Sequence, residues 1–436
     1  MTGVFDGLLA EIAGKAPLRR VGRVVETRRG LVEVTGLDLA AIGDRVVIHS
    51  RDGEAGGEVL RLVPGRAWIL PDASGDGMAI GDRVELLGKA EIAPDDSWVG
   101  RVVDPMGQPL DGRPLLRGPK TRALRAAAPP AADRRRLGAR LSTGSAVFDT
   151  LLPLVQGQRI GLFAGSGVGK SSLLARFARG VEADVVVIAL VGERGRELRE
   201  FTETVLGPRG MARSVVVTAT SDQSPLMRRM CCLTAMAVAE HFRDRGLHVL
   251  LLVDSVTRFA EAHREVALAG GEAASLRGYP PSLAHAIMGL AERAGPGPNG
   301  SGDITAVLSV LVAGSDMEEP VADILRGVLD GHVVLDRRIA ERGRFPAIDL
   351  LRSVSRSLPG AASEEENSLI AEARRLLGAY DRAEMMIQAG LYAAGSDPVV
   401  DRAIQHWPLL DAFLAEPAPA NGVAGSFERL RACLAG

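Results

Sequence analysis

Ala164-Gly165-Ser166-Gly167-Val168-Gly169-Lys170-Ser171 follows an apolar run, Ile160–Phe163, and precedes a helix-like stretch, Ser172–Arg179. These residue types at this spacing suit a loop that wraps phosphates. Glycines let backbone N–H groups turn toward the oxygens, Lys170 neutralises the outer phosphates, and the Ser171 hydroxyl can ligate magnesium. The expected nucleotide contacts are the backbone and side chains of Ala164 through Ser171, with Ser172 next to them. The usual first glycine is Ala164 here, which such a loop tolerates because its tight glycines lie further in. The competing reading is an accidental glycine-rich turn; with only four lysines among the 52 basic residues, a Lys-Ser in this place is seldom accidental.

Two carboxylates stand at the ends of other apolar runs. His248–Val253 ends in Asp254, where a phosphate-loop fold can hold magnesium through water. A helix N-cap role for Asp254 is compatible with this, since Ser255–Phe259 could start a helix. The run ending at Val191 delivers Gly192-Glu193-Arg194-Gly195-Arg196-Glu197. Glu193 could polarise an attacking water, and the flanking arginines are expected to keep its carboxylate ionised. Taken alone, that segment fits a surface ion-pair cluster better.

The elements that must position these groups follow from periodicity. Between residues 20 and 90, short β-rich runs (Gly22–Glu26, Leu31–Val34, Asp44–His49, Gly57–Val63, Asp82–Leu87) alternate with glycine turns, which predicts a small β-barrel. Ahead of it, Phe5, Leu8, Leu9 and Ile12 share one face of a short helix. Residues 123–137 lack periodicity and read as a linker or wrapping loop. From Gly157 to about Pro359 strands alternate with helices, with continuous apolar strands at Asp184–Val191, Ser214–Thr218, His248–Val253, Ile304–Val312 and His332–Leu335, the pattern of a parallel sheet covered on both faces. After Ala361 the pattern is helical, with Leu369, Ala373, Leu376 and Leu377 on one face. The expected fold is α/β: an N-terminal segment over 1–18, a β-barrel over 19–92, a phosphate-loop (RecA-like) domain over 93–360 and a helical domain over 361–436.

Composition narrows the classes. The 436 residues exceed one hydrophobic core, and a net charge of −2 argues against a general polyanion binder, so no nucleic-acid partner is expected. Cys231, Cys232 and Cys433 have neither metal-ligand nor disulfide spacing. Met1–Lys15 lacks a signal pattern and no apolar run reaches membrane-spanning length, so the expected location is the cytoplasm.

Several separated segments resemble the hexameric rotary ATPase family and, within it, the flagellum-specific ATPases of type III protein export. They are Gly100–Gly112, Leu151–Ser171, Val191–Glu197, Asp254–Ala260, Arg277–Ser282, Gly331–Leu335, Pro346–Arg356 and Gly395–Pro398, in order from about residue 20 to 415. The resemblance implies ATP hydrolysis with Mg2+ in a homohexameric ring, energising export. It implies Glu193 and Lys170 as catalytic residues, Arg356 as an arginine finger acting across a subunit boundary, and Arg194 and Arg258 as further phosphate-side cations. Magnesium falls to Ser171 and Asp254. Phe345, where relatives commonly carry tyrosine, would stack on adenine. Implied partners are regulator and stalk proteins, export substrates and chaperones, with peripheral association at a membrane export gate.

Virulence-type secretion ATPases share most of these segments. An F-type ATP synthase catalytic subunit would carry a Gly-Gly opening and Lys-Thr ending in its phosphate loop and a strongly acidic shaft-contacting loop; the acidic run here is Glu364–Glu366, just after Arg356. An RNA-threading helicase would place aromatics and basic residues ahead of its core, where this chain has Trp68 and Trp98. Gly271-Glu-Ala-Ala-Ser departs from the proline-containing pattern of relatives. Residues 416–436 extend past the resemblance and are expected to be disordered.

Overall fold

The structure is a computed structural model that describes Ile12 and residues 18–28, 30–312 and 317–435. The helix expected from Phe5, Leu8, Leu9 and Ile12 lies, apart from Ile12, outside the described residues.

Six strands close a barrel: β1 (Arg20–Arg28), β2 (Leu31–Thr35), β3 (Asp44–Ser50), β4 (Gly53–Val63), β5 (Arg66–Pro71) and β6 (Arg83–Lys89), in the order β1-β2-β5-β4-β3-β6. Alternate residues fill its interior, among them Val24, Val34, Val46, Ile48, Val59, Ile69 and Val84. The sequence pattern missed β5. Its inward residues Ala67 and Ile69 alternate with Trp68, which faces outward with the Arg61 guanidinium 4.9 Å over its ring, so the strand carries no polar face to reveal the period. Trp98 lies beyond the barrel, buried in a single 3-10 turn, with its indole N–H donating to the Leu116 carbonyl at 3.1 Å.

A small ribbon of β7 (Glu91–Ile92) and β9 (Arg122–Ala123) leads to the central sheet. Its strands are β8 (Val102–Val103), β10 (Arg159–Ala164), β11 (Val185–Glu193), β12 (Ser214–Thr220), β13 (His248–Asp254), β15 (Asp303–Leu311), β16 (Gly331–Leu335) and β17 (Ile348–Ser355), ordered β17-β16-β10-β15-β13-β11-β12-β8, with β14 (Gly295–Pro296) paired to β15. All pairings are parallel except β16–β17 and β14–β15. Strands β10, β11, β12, β13 and β15 each feed two cores. Val187, Ala189 and Val191 face helices α2 (Pro225–Arg243), α3 (Val256–Ala269) and α4 (Ser282–Arg293), while Val186, Ile188 and Leu190 face the phosphate-loop helix α1 (Lys170–Gly180) and the C-terminal helices. This two-sided burial is why the strands read as continuous apolar runs. Cys231 and Cys232 sit buried in α2 as free thiols, and burial pushes both thiols up from their ordinary pKa.

Residues 123–137 wrap the sheet. Arg134 donates to Glu292 at 2.8 Å, and Arg135 donates to Asp303 at 2.6 Å and to the Ser301 carbonyl at 2.8 Å. The C-terminal helices are α5 (Glu364–Gln388), α6 (Pro398–Phe413) and α7 (Gly422–Ala435). Glu364–Glu366 form the first turn of α5, where they complement the positive helix end, and Ser363 and Glu366 make reciprocal capping bonds.

Helix α7 corrects the expectation of disorder after residue 416. Phe427 and Leu430 are buried in the second core, and Arg140 covers the Phe427 ring at 5.2 Å. Pro417, Pro419 and Gly425 suggested a tail because both prolines precede the helix and Gly425 is packed inside it. Phe427→Ala is therefore expected to destabilise the protein by about 3 kcal/mol in urea unfolding, the cost of a buried aromatic cavity; an unchanged midpoint would mean that α7 contributes no packing.

Candidate active site

Ala164 is the last residue of β10, paired in register with Leu311 and Leu335. Its methyl group is buried, so it offers backbone alone to the loop that follows. Gly167 (φ 77°) and Gly169 (φ 88°) take left-handed conformations that a side chain disfavours. The buried Val168 side chain anchors the loop between them, and Gly165 and Ser166 complete it. Gly169 caps α1, leaving the first N–H groups of that helix, with Ser171 and Ser172 in its first turn, as a ready anion cradle.

Lys170 donates from Nζ to Asp254 Oδ1, and the Ser309 hydroxyl donates to the same oxygen at 3.0 Å. Asp254 ends β13 with its side chain 4% exposed. The N-cap of α3 is Ser255, which accepts from the Arg258 N–H at 3.3 Å, so Asp254 is left free of that duty. Ser309 escaped sequence reasoning, although a hydroxyl near the end of the apolar run Ile304–Val312, which also holds Thr305, was the available signal.

Glu193 ends β11 beside Asp254. Burial, then the Asp254 charge and Glu197, raise its carboxyl to about 7, while Lys170 pulls in the opposite direction. This overturns the expectation that neighbouring arginines hold Glu193 ionised. Arg194 is 74% exposed and turned toward Glu197 at 3.6 Å, as the N-cap of the short helix Gly195–Glu200. Arg258 stays closer: its side chain packs beside Gly192, where an added Cβ would lie 3.7 Å from it, and its guanidinium donates to Glu261 at 2.9 Å. Arg228, unnoticed in the sequence, flanks the same glycine and donates to Glu265 at 3.1 Å.

Phe345 is half-exposed, and its ring edge lies against the phosphate loop, 3.1 Å from where a Cβ on Gly169 would be. Arg356 is elsewhere. Leu335 pairs with Ala164 at the loop end of the sheet, whereas Gly331 pairs with Ser355, so Arg356 emerges about 13 Å back along the strands at ~3.3 Å per residue. There its backbone N–H donates to the Asp330 carbonyl at 3.0 Å and its guanidinium to the Arg326 carbonyl at 3.2 Å. One chain thus brings together Lys170, Asp254, Ser309 and Glu193 but leaves Arg356 at the opposite sheet end.

Residues 144–355 match the ATP synthase alpha/beta family, nucleotide-binding domain, and residues 362–421 match the T3SS EscN ATPase C-terminal domain. The chain is 44% identical to the flagellum-specific ATP synthase of Caulobacter vibrioides, over 94% of each protein. It is 42% identical to the type 3 secretion system ATPase of Xanthomonas euvesicatoria, over 93% of this chain and 92% of that one. The assembled ATPase EscN of enteropathogenic E. coli, in complex with its central stalk EscO, superposes with a TM-score of 0.86 at 36% identity, covering 95% of this chain and all of that one. Among the described residues no helix is long and apolar enough to cross a membrane. Likeness of this extent in sequence, fold and both profiles means that the chain belongs to the ATP synthase alpha/beta family, in the branch of the flagellum-specific and type 3 secretion system ATPases.

Proposed function

We propose that the chain hydrolyses ATP at the boundaries between copies of itself in a hexameric ring and that this hydrolysis energises flagellar type III protein export. The observation that carries the reading is the division of the machinery: a phosphate loop, a buried carboxylate and a near-neutral glutamic acid at one end of the sheet, and Arg356 at the other. The assembled state of the EscN relative and its stalk complex support a ring that meets a stalk protein. The same reading places the protein in the cytoplasm, at the periphery of a membrane export gate, with regulators, chaperones and export substrates as partners.

In this mechanism the loop N–H groups from Gly165 to Ser171 bind the phosphates, Lys170 exchanges Asp254 for the outer phosphate oxygens, and Phe345 lies against the adenine. The Ser171 hydroxyl and the Asp254 carboxylate are hard oxygen donors, and no cluster of three or more His, Cys, Asp or Glu forms a protein cage among the described residues. That sparse set fits magnesium, which usually keeps water and phosphate oxygens as its other ligands. Magnesium, when bound with ATP, neutralises charge on the outer phosphates. Ser309 holds the Asp254 carboxylate in place. Glu193 accepts a proton from the attacking water and orients it. Arg356 of a neighbouring copy, with Arg258 from the same chain, stabilises charge on the transferred phosphoryl group.

The raised pKa of Glu193 fixes a pH dependence. Only the ionised carboxylate accepts the proton, and its fraction grows as pH rises through about 7, so kcat/KM should climb from pH 6 to 8. Glu193→Gln should keep nucleotide affinity, lose about 10²–10⁴-fold in turnover and flatten that profile. In flagellated cells that depend on this chain, the same substitution should stop secretion of flagellar subunits into the medium. Normal turnover of the variant, or undiminished secretion with it, would overturn the reading.

A further inference from the structure

Between the barrel and helices α2, α3 and α4 lies a cavity of about 640 Å³, within the size range of small-molecule sites. It is remote in role from the phosphate loop, and none of its polar groups enters the mechanism above. One end is charged. The Glu58 carboxylate on β4, 2% exposed, accepts from Arg125 and, at 2.7 Å, from Arg229 of α2. Arg45, close by, is paired with Asp72. Three guanidiniums share two carboxylates here, and a third carboxylate, Glu272, lines the same cavity hydrogen-bonded to Ser282.

Arg229 has only a shared partner, since Arg125 donates to the same Glu58 oxygen. Its side chain is 10% exposed, it donates to Glu58 alone among the described residues, and its Nε is sealed from water with no partner. A guanidinium offers five N–H donors, and leaving a buried one underused is costly. Burial and the neighbouring Arg125 and Arg45 all disfavour its charge, with Glu58 alone opposing them.

The other end is already satisfied. Glu272 accepts from the Ser282 N–H at 2.8 Å and from the Ser282 hydroxyl at 2.7 Å, and the hydroxyl in turn meets His263 Nε2 at 2.8 Å. Burial pushes His263 down to about 4, so it is neutral and adds no charge. These bonds also explain Glu272 within the atypical Gly271-Glu-Ala-Ala-Ser segment, because its carboxylate pins the start of α4. The wall between the two ends is apolar, with Leu60, Phe259 and Leu290 facing the space.

We propose that this cavity binds a small organic monoanion, its carboxylate against Arg229 and Arg125 and its apolar body against Leu60, Phe259 and Leu290. A planar carboxylate matches the guanidinium fork, and an apolar body removes the remaining wall from water. Helix α3 links this site to the active site, since Arg258 beside Gly192 is followed directly by Phe259 in the cavity wall.

Octanoate and 1-octanol, which share an apolar chain and differ in charge, test the proposal by calorimetric titration of the full chain. Octanoate should bind saturably at one site per chain and at least about tenfold more tightly than 1-octanol, the worth of a charge-assisted hydrogen bond. Arg229→Met should weaken octanoate binding by about tenfold or more. Gly289→Phe should abolish it, because a Cβ at Gly289 enters open space and the ring then fills the cavity while both arginines stay; this variant decides the matter if Arg229→Met does not fold. Lys170→Ala should bind octanoate like the parent chain. Equal binding of octanoate and octanol, parental affinity in Gly289→Phe, or loss of binding in Lys170→Ala would each overturn the proposal.

Discussion

Lys170→Ala is expected to cut ATP turnover by about 10³-fold while leaving the fold intact. Lysine at this position begins α1 and contributes no packing to either core, and alanine is a good helix former, so the loss of stability should be confined to the broken Lys170–Asp254 pair, whose carboxylate keeps the Ser309 hydrogen bond. The chemical loss is double. The outer phosphates lose their fixed cation, an effect on the scale of removing a preorganised donor from an active site. The same charge opposes the burial that raises Glu193, so without it the carboxyl moves still further from its ionised form at neutral pH. Steady-state ATPase assays beside thermal melts check both halves of the expectation. A variant that melts cooperatively and turns over normally would sink the phosphate-loop assignment.

Arg356→Ala should cost a comparable amount, about 10³-fold or more by analogy with arginine fingers in other phosphoryl-transfer enzymes, yet by a different route. Its register at the far end of β17 prevents it from serving the phosphate loop of its own chain. Nucleotide should therefore bind the variant normally, because the loop from Ala164 to Ser171 is untouched, and specific activity of the parent chain should rise with protein concentration as copies assemble. Mixing is the sharper measurement. Lys170→Ala and Arg356→Ala chains, each inactive alone, should regain part of the activity together, since an intact Lys170 then faces an intact Arg356 at some boundaries. Mixed assemblies without any recovered turnover would rule out the shared site.

How far these groups were legible in the sequence depends on how local their physics is. The phosphate loop is a contiguous strand, turn and helix start, so Gly167, Gly169, Lys170 and Ser171 could be read from eight residues. Asp254 was legible because the strand before it is buried on both faces and therefore apolar to its end. Ser309 was not, since its partner is brought alongside only by the β13–β15 pairing. The protonation of Glu193 was misread for the same reason: the adjacent arginines are neighbours in sequence, but its surroundings are set by β13 and by burial, and Arg194 turns outward. The site of Arg356 relative to the loop required the antiparallel β16–β17 pairing, which continuous apolar runs do not disclose. The final helix was hidden by punctuation residues that mark its approach, not its absence.

The two functional ends of the central sheet also have a genetic meaning. Under the proposed shared-site mechanism, a chain altered at Lys170 would spoil the site it houses, one altered at Arg356 the site its neighbour houses, and one altered at both two adjoining sites. Such a double allele, expressed beside the wild-type gene, removes more activity than its share of the protein. On the proposed mechanism, the distance from Ala164 back to Ser355 along the strands thus makes the double allele partly dominant in a cell that carries both copies.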